Sequence, residues 1–208
     1  KTSRRMEPPL FPRRQLKRAS RAVEDALRTG LGRPDGMLSE ASAYDMLRAA
    51  GLDAPAAVYH RTGDDMEALP GRLSADTRYA AKVDIPGCGH KTDIGGVVLN
   101  VEAADAARVA AELTERVPSL DGVLFAEMVP HAGGIGGEYL LTALRDPVFG
   151  PAIAVGIGGT AVDFMADAMP GRSVAMFPAA AGVTHAGVTN MLAATPAVRQ
   201  VALTRSLA

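Results

Sequence analysis

The chain has 208 residues, of which 48% are hydrophobic, enough to bury a core in one large domain or two small ones. Its net charge of −1 and its few aromatic residues, 4% with no tryptophan, argue against nucleic acid as a partner, and no apolar run reaches the roughly 18 residues that cross a bilayer. A single cysteine, Cys88, excludes an internal disulfide and fits the cytosol, so we expect a cytoplasmic protein.

Residues 1–37 are predicted to form a basic extension that includes a helix. Residues 1–14 are basic and rich in proline, and residues 15–29 carry apolar side chains at helical spacing. Glycines follow this helix, so residues 32–36 are the predicted boundary. Residues 38–208 are then expected to form one domain.

A helix and a short strand are predicted after this boundary. Ser39 is a typical N-cap, and Glu40 would lie in the first turn of the helix. A strand at 57–60 follows, and then a helical turn at 64–69 that Pro70 should end.

Residues 82–97 are the most informative stretch of the chain. We predict that Lys82 closes a strand at 79–82 and that a second strand begins at 97–99. The loop between them contains cations, a histidine and glycines: His90, Lys91, Thr92, Asp93, Gly95 and Gly96. Glycines let the backbone approach a ligand, successive N–H groups can bind an anion, and lysines supply positive charge. The pattern predicts a loop that binds nucleotide phosphates.

Two familiar nucleotide motifs do not fit this sequence. A Walker A motif requires glycine immediately before its lysine, where His90 stands. The segment Gly156-x-Gly158-x-x-Ala161 resembles a dinucleotide fingerprint, but no acid follows Asp167 to bind the ribose. A Rossmann site is therefore disfavoured.

The remaining chain mixes helical and antiparallel-strand patterns. A helix is predicted at 102–117, with Val109, Leu113 and Val117 on one side. The further elements are strands at 123–126, 138–144 and 152–155, a hairpin connection at 146–150, a glycine loop at 156–159, and helices at 186–192 and 198–207. This mixture predicts an α+β fold.

Taken in order, these features resemble the ATP-grasp domain of ADP-forming acyl-CoA synthetases, such as the β subunit of ADP-forming acetate–CoA ligase, a relative of succinyl-CoA synthetase. The most specific match is H-K-T-D-I-G-G-V at 90–97. Weaker matches occur in the family's order at 38–52, 127–129, 138–151 and 156–159. The resemblance covers residues 38–167 and implies, for residues 38–208, an ATP-grasp fold with two α+β subdomains clasping a nucleotide.

The resemblance also implies roles for individual residues. His90 would carry a transient phosphoryl group, and a neutral imidazole is a competent nucleophile near pH 7. The implied nucleotide-binding residues are Lys82, Lys91, Thr92, Gly95, Gly96, Glu127, Met128, Val129 and Glu138. Asp163 and Asp167 would hold Mg²⁺. His60, His131 and His185 are expected to have no catalytic role.

The implied activity is that of an acid–thiol ligase that binds ATP or ADP with Mg²⁺. CoA and a small carboxylic acid would bind with the help of an α-type, CoA-binding chain or domain, in an oligomer, without nucleic acid or membrane. Another chain supplies that domain, or this chain is a fragment, or the domain has been reused.

Two departures from the family pattern leave alternatives open. Asp163 stands where the family usually has glutamate, and residues 175–178 replace a run that contains arginine. One alternative is a non-catalytic module that senses nucleotides. The other is an ATP-grasp ligase that joins a carboxylate to an amine, which would have no use for His90.

Overall fold

The computed structural model describes residues 21, 23–26, 28, 38–88, 91–131, 137–148, 150–159, 162–168, 170, 174–178 and 184–195. The described residues divide into two compact units, an N-terminal unit that ends at Val129 and a C-terminal unit that begins at Pro130. Each unit combines helices with an antiparallel sheet, which confirms the predicted α+β class. The predicted boundary at 32–36 lies outside the described residues and stays a prediction.

Within residues 38–129, the described part of the N-terminal unit contains a four-stranded sheet and two α-helices. Its elements are α1 (Glu40–Ala49), β1 (Ala57–Arg61), β2 (Tyr79–Asp84), β3 (Val97–Val101), α2 (Ala106–Arg116) and β4 (Gly122–Glu127). The strands lie in the order β1-β4-β2-β3, and every neighbouring pair is antiparallel. Two 3₁₀ turns, Pro70–Arg72 and Ala103–Asp105, complete the unit.

The core of this unit includes one side of α2 and residues of β2, β3 and β4. Val109, Leu113 and Val117 are buried, which confirms the predicted apolar stripe. They belong to one cluster with Val83 and Phe125 of the sheet. Burial of each such aliphatic side chain contributes about 1.5–3 kcal/mol to the free energy of folding, so this cluster stabilises the packing of α2 on the sheet.

Lys82 lies inside β2, so the prediction that it closes a strand at 79–82 is wrong. Strand β2 continues to Asp84, and its backbone pairs with neighbours on both sides, Lys82 lying opposite Val97 of β3 and Leu124 of β4. Side chains alternate along a strand, and Tyr79, Ala81 and Val83 belong to the core. Lys82 and Asp84 therefore lie on the other face of the sheet.

The C-terminal unit contains a three-stranded antiparallel sheet. Its elements are β5 (Tyr139–Asp146), β6 (Gly150–Ile157), α3 (Val162–Ala168), β7 (Val174–Pro178) and α4 (His185–Ala194), with strand order β5-β6-β7. Asp146 pairs with Gly150, which confirms the predicted hairpin connection at 146–150. Gly150 has a φ of 73°, a conformation in which glycine carries no steric penalty.

Local signals predicted some element boundaries and missed others. The Ser39 hydroxyl accepts a hydrogen bond from the Ser42 N–H at 3.1 Å, so the predicted N-cap is confirmed. Of the helical turn predicted at 64–69, one hydrogen-bonded turn is present, in which the Leu69 N–H donates to the Met66 carbonyl at 3.3 Å. Pro70 does not end a helix there but begins the 3₁₀ helix, a position at which its missing N–H is not needed. Helix α3 and strand β7 were not predicted, since they have only seven and five residues and show too few periods of a pattern.

Several predicted elements extend beyond the described residues. In the helix predicted at 15–29, the described positions 21, 23–26 and 28 are helical. The helix predicted at 198–207 lies outside the described residues. Within the described parts of the chain, none of the helices combines the length and the apolar character needed to cross a membrane.

Candidate functional site

Two lysines of the N-terminal unit meet at a single carboxylate. Lys82 Nζ lies 2.6 Å from Glu40 Oε1, and Lys91 Nζ lies 3.1 Å from Glu40 Oε2. The three side chains are only 27%, 21% and 25% exposed, for Lys82, Lys91 and Glu40 respectively. Both lysines were predicted to bind nucleotide phosphates, and the fold brings them together. We call Glu40, Lys82 and Lys91 the lysine–glutamate cluster.

Glu40 owes its position to helix α1. It lies in the first turn, after the Ser39 cap, where the helix dipole favours negative charge. The Tyr44 hydroxyl donates a hydrogen bond to Glu40 Oε1 at 2.9 Å, one turn along the helix. Glu40 was named from the sequence only as a first-turn acid, and no local signal connects it to lysines 42 and 51 residues away.

Ionisation in the cluster follows from burial and these contacts. Burial alone would raise the pKa of Glu40, but its hydrogen bond to Lys82 and the charges of Lys82 and Lys91 outweigh burial and lower that pKa below its usual value. Burial first, and then the Glu40 carboxylate, raises the pKa of Tyr44 to about 12. The Glu40 carboxylate is therefore ionised at neutral pH, where it contacts the ammonium groups of both lysines.

The loop that joins β2 to β3 returns to the sheet through two glycines. The Gly95 N–H donates to the Thr92 carbonyl at 3.0 Å, and the Gly96 N–H donates to the Lys91 carbonyl at 2.8 Å. From the end of α2, Arg116 Nη1 donates to the Gly95 carbonyl at 3.0 Å. These bonds hold the backbone next to Lys91. His90, the predicted phosphoryl carrier, lies outside the described residues.

Gly96 has a steric reason to be glycine. A Cβ atom at this position would lie 2.5 Å from Val83 Cγ2 and 3.0 Å from the Lys91 carbonyl oxygen. Gly95 has a φ of 65°, a conformation that side chains disfavour. Both glycines thus let the loop turn tightly beside β2, a role in folding that is separate from the predicted contact with phosphates.

A buried carboxylate lies on the same face of β2, two residues from Lys82. Asp84 is 6% exposed, and its Oδ2 accepts a hydrogen bond from the Tyr59 hydroxyl at 3.0 Å. Burial, followed by the charges of Asp84 and Asp121, raises the pKa of Tyr59 well above its usual value. No motif in the sequence points to Asp84, although the two-residue period of a strand places it on the same face as Lys82.

The predicted adenine-binding segment lies at the end of β4. The Glu127 N–H donates to the Ala56 carbonyl and the Met128 N–H donates to the Arg78 carbonyl, both at 2.8 Å. Glu127 pairs with Tyr79, whereas Lys82 pairs with Leu124. Glu127 is therefore three residues, roughly 10 Å, along the sheet from Lys82 and on its opposite face. The fold does not bring these two predicted residues together.

Glu138 precedes the first strand of the C-terminal unit. Its Oε2 lies 4.0 Å from His131 Nε2, and its carbonyl accepts a hydrogen bond from the Gly158 N–H at 2.9 Å. A Cβ atom at Gly159 would collide with the Glu138 carboxylate. The absence of a side chain at Gly159, in the glycine loop predicted at 156–159, thus leaves space for the Glu138 carboxylate.

The predicted Mg²⁺ ligands are both on helix α3. Asp163 and Asp167 are one helical turn apart, a spacing at which two carboxylates can reach one cation. Asp167 is exposed. Among the described residues, no group of three or more histidine, cysteine, aspartate or glutamate side chains is arranged to hold a metal.

Comparison with known proteins gives matches over most of the chain. The family profile for the ATP-grasp domain matches residues 29–207. The trans-feruloyl-CoA synthase FCS1 of an unknown prokaryotic organism is 30% identical over 145 residues, which are 66% of this chain and 20% of that protein. The β subunit of ADP-forming acetate–CoA ligase I of Pyrococcus furiosus is 30% identical over 137 residues, 62% of this chain and 56% of the subunit.

A solved structure has the same fold. It is the dinucleotide-forming acetyl-coenzyme A synthetase 1 of Ca. Korarchaeum cryptofilum in complex with coenzyme A, Ca-AMPCP and HgCl⁺. It superimposes with a TM-score of 0.62 at 23% identity, over 78% of this chain and 68% of that one. The chain spans between one fifth and just over one half of the two curated relatives.

Proposed function

The chain belongs to the ATP-grasp domain family and is related to ADP-forming acyl-CoA synthetases, and we propose that it is the nucleotide-binding part of such an enzyme. In this proposal, the phosphates of ATP or ADP bind at Lys82 and Lys91. The observation that carries the proposal is the convergence of these two lysines from separate parts of the chain. Thr92, Gly95 and Gly96 continue the same loop and are proposed to lie against the phosphates. Because the Gly95 and Gly96 N–H groups already donate to the Thr92 and Lys91 carbonyls, the positive charge at this site is proposed to come from the two lysines.

The remaining predicted residues keep the roles that the resemblance implies. Adenine is proposed to lie against Glu127, Met128 and Val129. The N–H groups of Glu127 and Met128 already donate to the Ala56 and Arg78 carbonyls, so the proposed contacts to the base do not use these two donors. Glu138 is proposed to bind the nucleotide, and Asp163 and Asp167 to hold Mg²⁺, which would neutralise phosphate charge.

His90 is the proposed carrier of the phosphoryl group. In the direction of ATP synthesis, a ring nitrogen attacks the phosphorus of an acyl phosphate, the N–P bond forms, and the carboxylate leaves. An oxygen of the ADP β-phosphate then attacks the same phosphorus, and the N–P bond breaks to leave ATP and free histidine. The neighbouring Lys91 neutralises charge on the group being transferred. In the same direction, a CoA-binding partner chain or domain is proposed to form the acyl phosphate from acyl-CoA and inorganic phosphate, with CoA as the leaving group. The carboxylate released at His90 is then that of a small carboxylic acid.

Phosphohistidine formation tests this proposal directly. The full chain is incubated with Mg²⁺ and ATP labelled in its γ-phosphate, and acid-labile, base-stable label on the protein is measured. We expect label on the wild type and on His185→Gln, a control histidine on α4, but none on His90→Ala. Equal labelling of His90→Ala would contradict the carrier role.

A non-catalytic nucleotide sensor is the second candidate function, and the sequence of residues 175–178 motivates it, because they contain no arginine where the family has a run with one. These residues lie in β7, where Ala175 and Phe177 are buried, so they are part of the sheet. A sensor would bind Mg²⁺–ATP without ever forming phosphohistidine, even when a CoA-binding partner and acyl phosphate are added. The labelling experiment repeated under those conditions separates the two functions.

A further inference from the structure

The lysine–glutamate cluster has a feature that the proposed function does not explain, namely that one carboxylate bridges both lysines. We propose that Glu40 is a positioning residue, which holds Lys82 and Lys91 side by side so that one nucleotide phosphate can bind both. This inference rests on the proposed function, because it takes the two lysines as the phosphate site. Nothing in the sequence pattern had connected Glu40 with the loop.

Charge is the first reason for this assignment. The two ammonium groups contact the two different oxygens of one carboxylate, so both lie within hydrogen-bond distance of the same group. Like charges at that distance repel, and the repulsion is poorly screened where the side chains are three-quarters buried. An anion between the lysines removes this repulsion before any nucleotide arrives.

The number of hydrogen-bond donors is the second reason. Each lysine ammonium has three N–H donors, and the bond to Glu40 uses one of them. Counted among the described residues, two donors on each lysine remain for phosphate oxygens. The cluster also keeps a net charge of +1, because a single carboxylate faces two cations. It can therefore still attract a phosphate.

The opposite interpretation is that Glu40 occupies the place of the phosphate and must leave when a nucleotide binds. Its surroundings argue against this. Glu40 belongs to the first turn of a capped helix and accepts a further hydrogen bond from Tyr44. It could move away only by changing its rotamer against these bonds or by moving α1. This geometry agrees better with a Glu40 carboxylate that stays in place as a counter-ion than with one that a nucleotide phosphate displaces.

Helix α1 also depends on the cluster. None of its residues is fully buried, so the apolar contribution to its attachment is small. Besides the Glu40 contacts, Arg48 donates to the Pro55 carbonyl. The ion pairs therefore connect α1 to the sheet while they align the lysines.

The test measures the affinity of Mg²⁺–ATP for the full chain by calorimetry. Glu40→Gln keeps the shape and one acceptor oxygen but removes the charge, and we expect the dissociation constant to rise about tenfold. Glu40→Asp keeps the charge on a shorter side chain, so its dissociation constant should lie between those of the wild type and Glu40→Gln. It serves as the second variant if Glu40→Gln does not fold. Glu112→Gln on α2, where an exposed acid pairs with Arg108, is the matched control and should bind like the wild type.

A double mutant distinguishes positioning from a general structural effect. If Glu40 acts through the lysines, Glu40→Gln should have little further effect in a Lys82→Met, Lys91→Met background. If it only stabilises the fold, its effect should be the same in both backgrounds, and the inference is overturned.

The remaining outcomes separate this inference from the proposed function. Wild-type protein that binds no Mg²⁺–ATP would refute the proposed function, and the inference with it. If the wild type binds Mg²⁺–ATP and Glu40→Gln binds it equally well or more tightly, the positioning role alone is refuted. That result would favour the interpretation in which the phosphate displaces Glu40.

Discussion

The Tyr59 hydroxyl of β1 donates a hydrogen bond to the Asp84 carboxylate of β2 at 3.0 Å. Between these two strands lies β4, and the Tyr59 side chain crosses it at Gly122, which pairs with residues of both β1 and β2. Its ring lies where a side chain at position 122 would be, since a Cβ atom there would be 2.8 Å from Tyr59 Cζ. A buried carboxylate, a phenol and a glycine therefore depend on one another. They lie on the face of the sheet that also carries Lys82.

Replacement of Tyr59 by phenylalanine should destabilise the protein. Asp84 is buried and loses a hydrogen-bond donor, which typically costs about 1–2 kcal/mol in the free energy of unfolding. Urea denaturation at neutral pH measures this change. Tyr139→Phe is the control, because Tyr139 is 53% exposed and should change stability by less than about 0.5 kcal/mol. Equal stability of Tyr59→Phe and the wild type would mean that the bond adds nothing.

Gly122→Ala should destabilise the protein through steric overlap. The added methyl group would meet the Tyr59 ring and the His60 carbonyl, and we expect a loss of about 1–3 kcal/mol. Gly71→Ala is a matched control, because nothing lies within 4 Å of a Cβ atom at that position. If thermal denaturation shows the same loss of stability for both variants, the Tyr59 ring does not lie as close to Gly122 as described.

Gly96→Ala should affect both stability and nucleotide binding. Its methyl group would overlap with Val83 and press on the Lys91 carbonyl, so the loop must move away from β2. We expect a loss of about 1–3 kcal/mol in stability and weaker binding of Mg²⁺–ATP, since Lys91 moves with the loop. Calorimetry on the folded variant measures the second effect. Unchanged affinity in a destabilised variant would separate Gly96 from the proposed phosphate site.

The contribution of Glu40 to stability should depend on pH. Because its pKa is lowered in the folded protein, its stabilising effect is present above the pKa of the unfolded chain, about 4.3, and is lost as the pH falls through the lower, folded value. At pH 7 the wild type should therefore be more stable than Glu40→Gln. The difference should shrink steadily below about pH 4.3. Urea denaturation of both proteins, from pH 7 to the lowest pH at which they fold, measures this difference in the free energy of unfolding. A difference that does not change with pH would show that the ion pairs do not contribute.

Only part of the candidate site could be predicted from the sequence. The loop at 82–97 was identified because its lysines, histidine and glycines are close together in the chain. Glu40 lies 42 residues before Lys82, and no spacing rule links a first-turn acid to a distant strand. The pairing of Tyr59 with Asp84, 25 residues apart, depends in the same way on the antiparallel register of β1, β4 and β2.

The sequence by itself determined the features that depend on neighbours along the chain. The Ser39 cap, the stripe of Val109, Leu113 and Val117, and the hairpin at 146–150 all follow from contacts within a few residues. The tertiary structure alone decided that Lys82 lies within a central strand and that one carboxylate joins it to Lys91. The physical reason is that backbone conformation responds to local side chains, whereas charge pairs form wherever packing of the whole sheet brings side chains together.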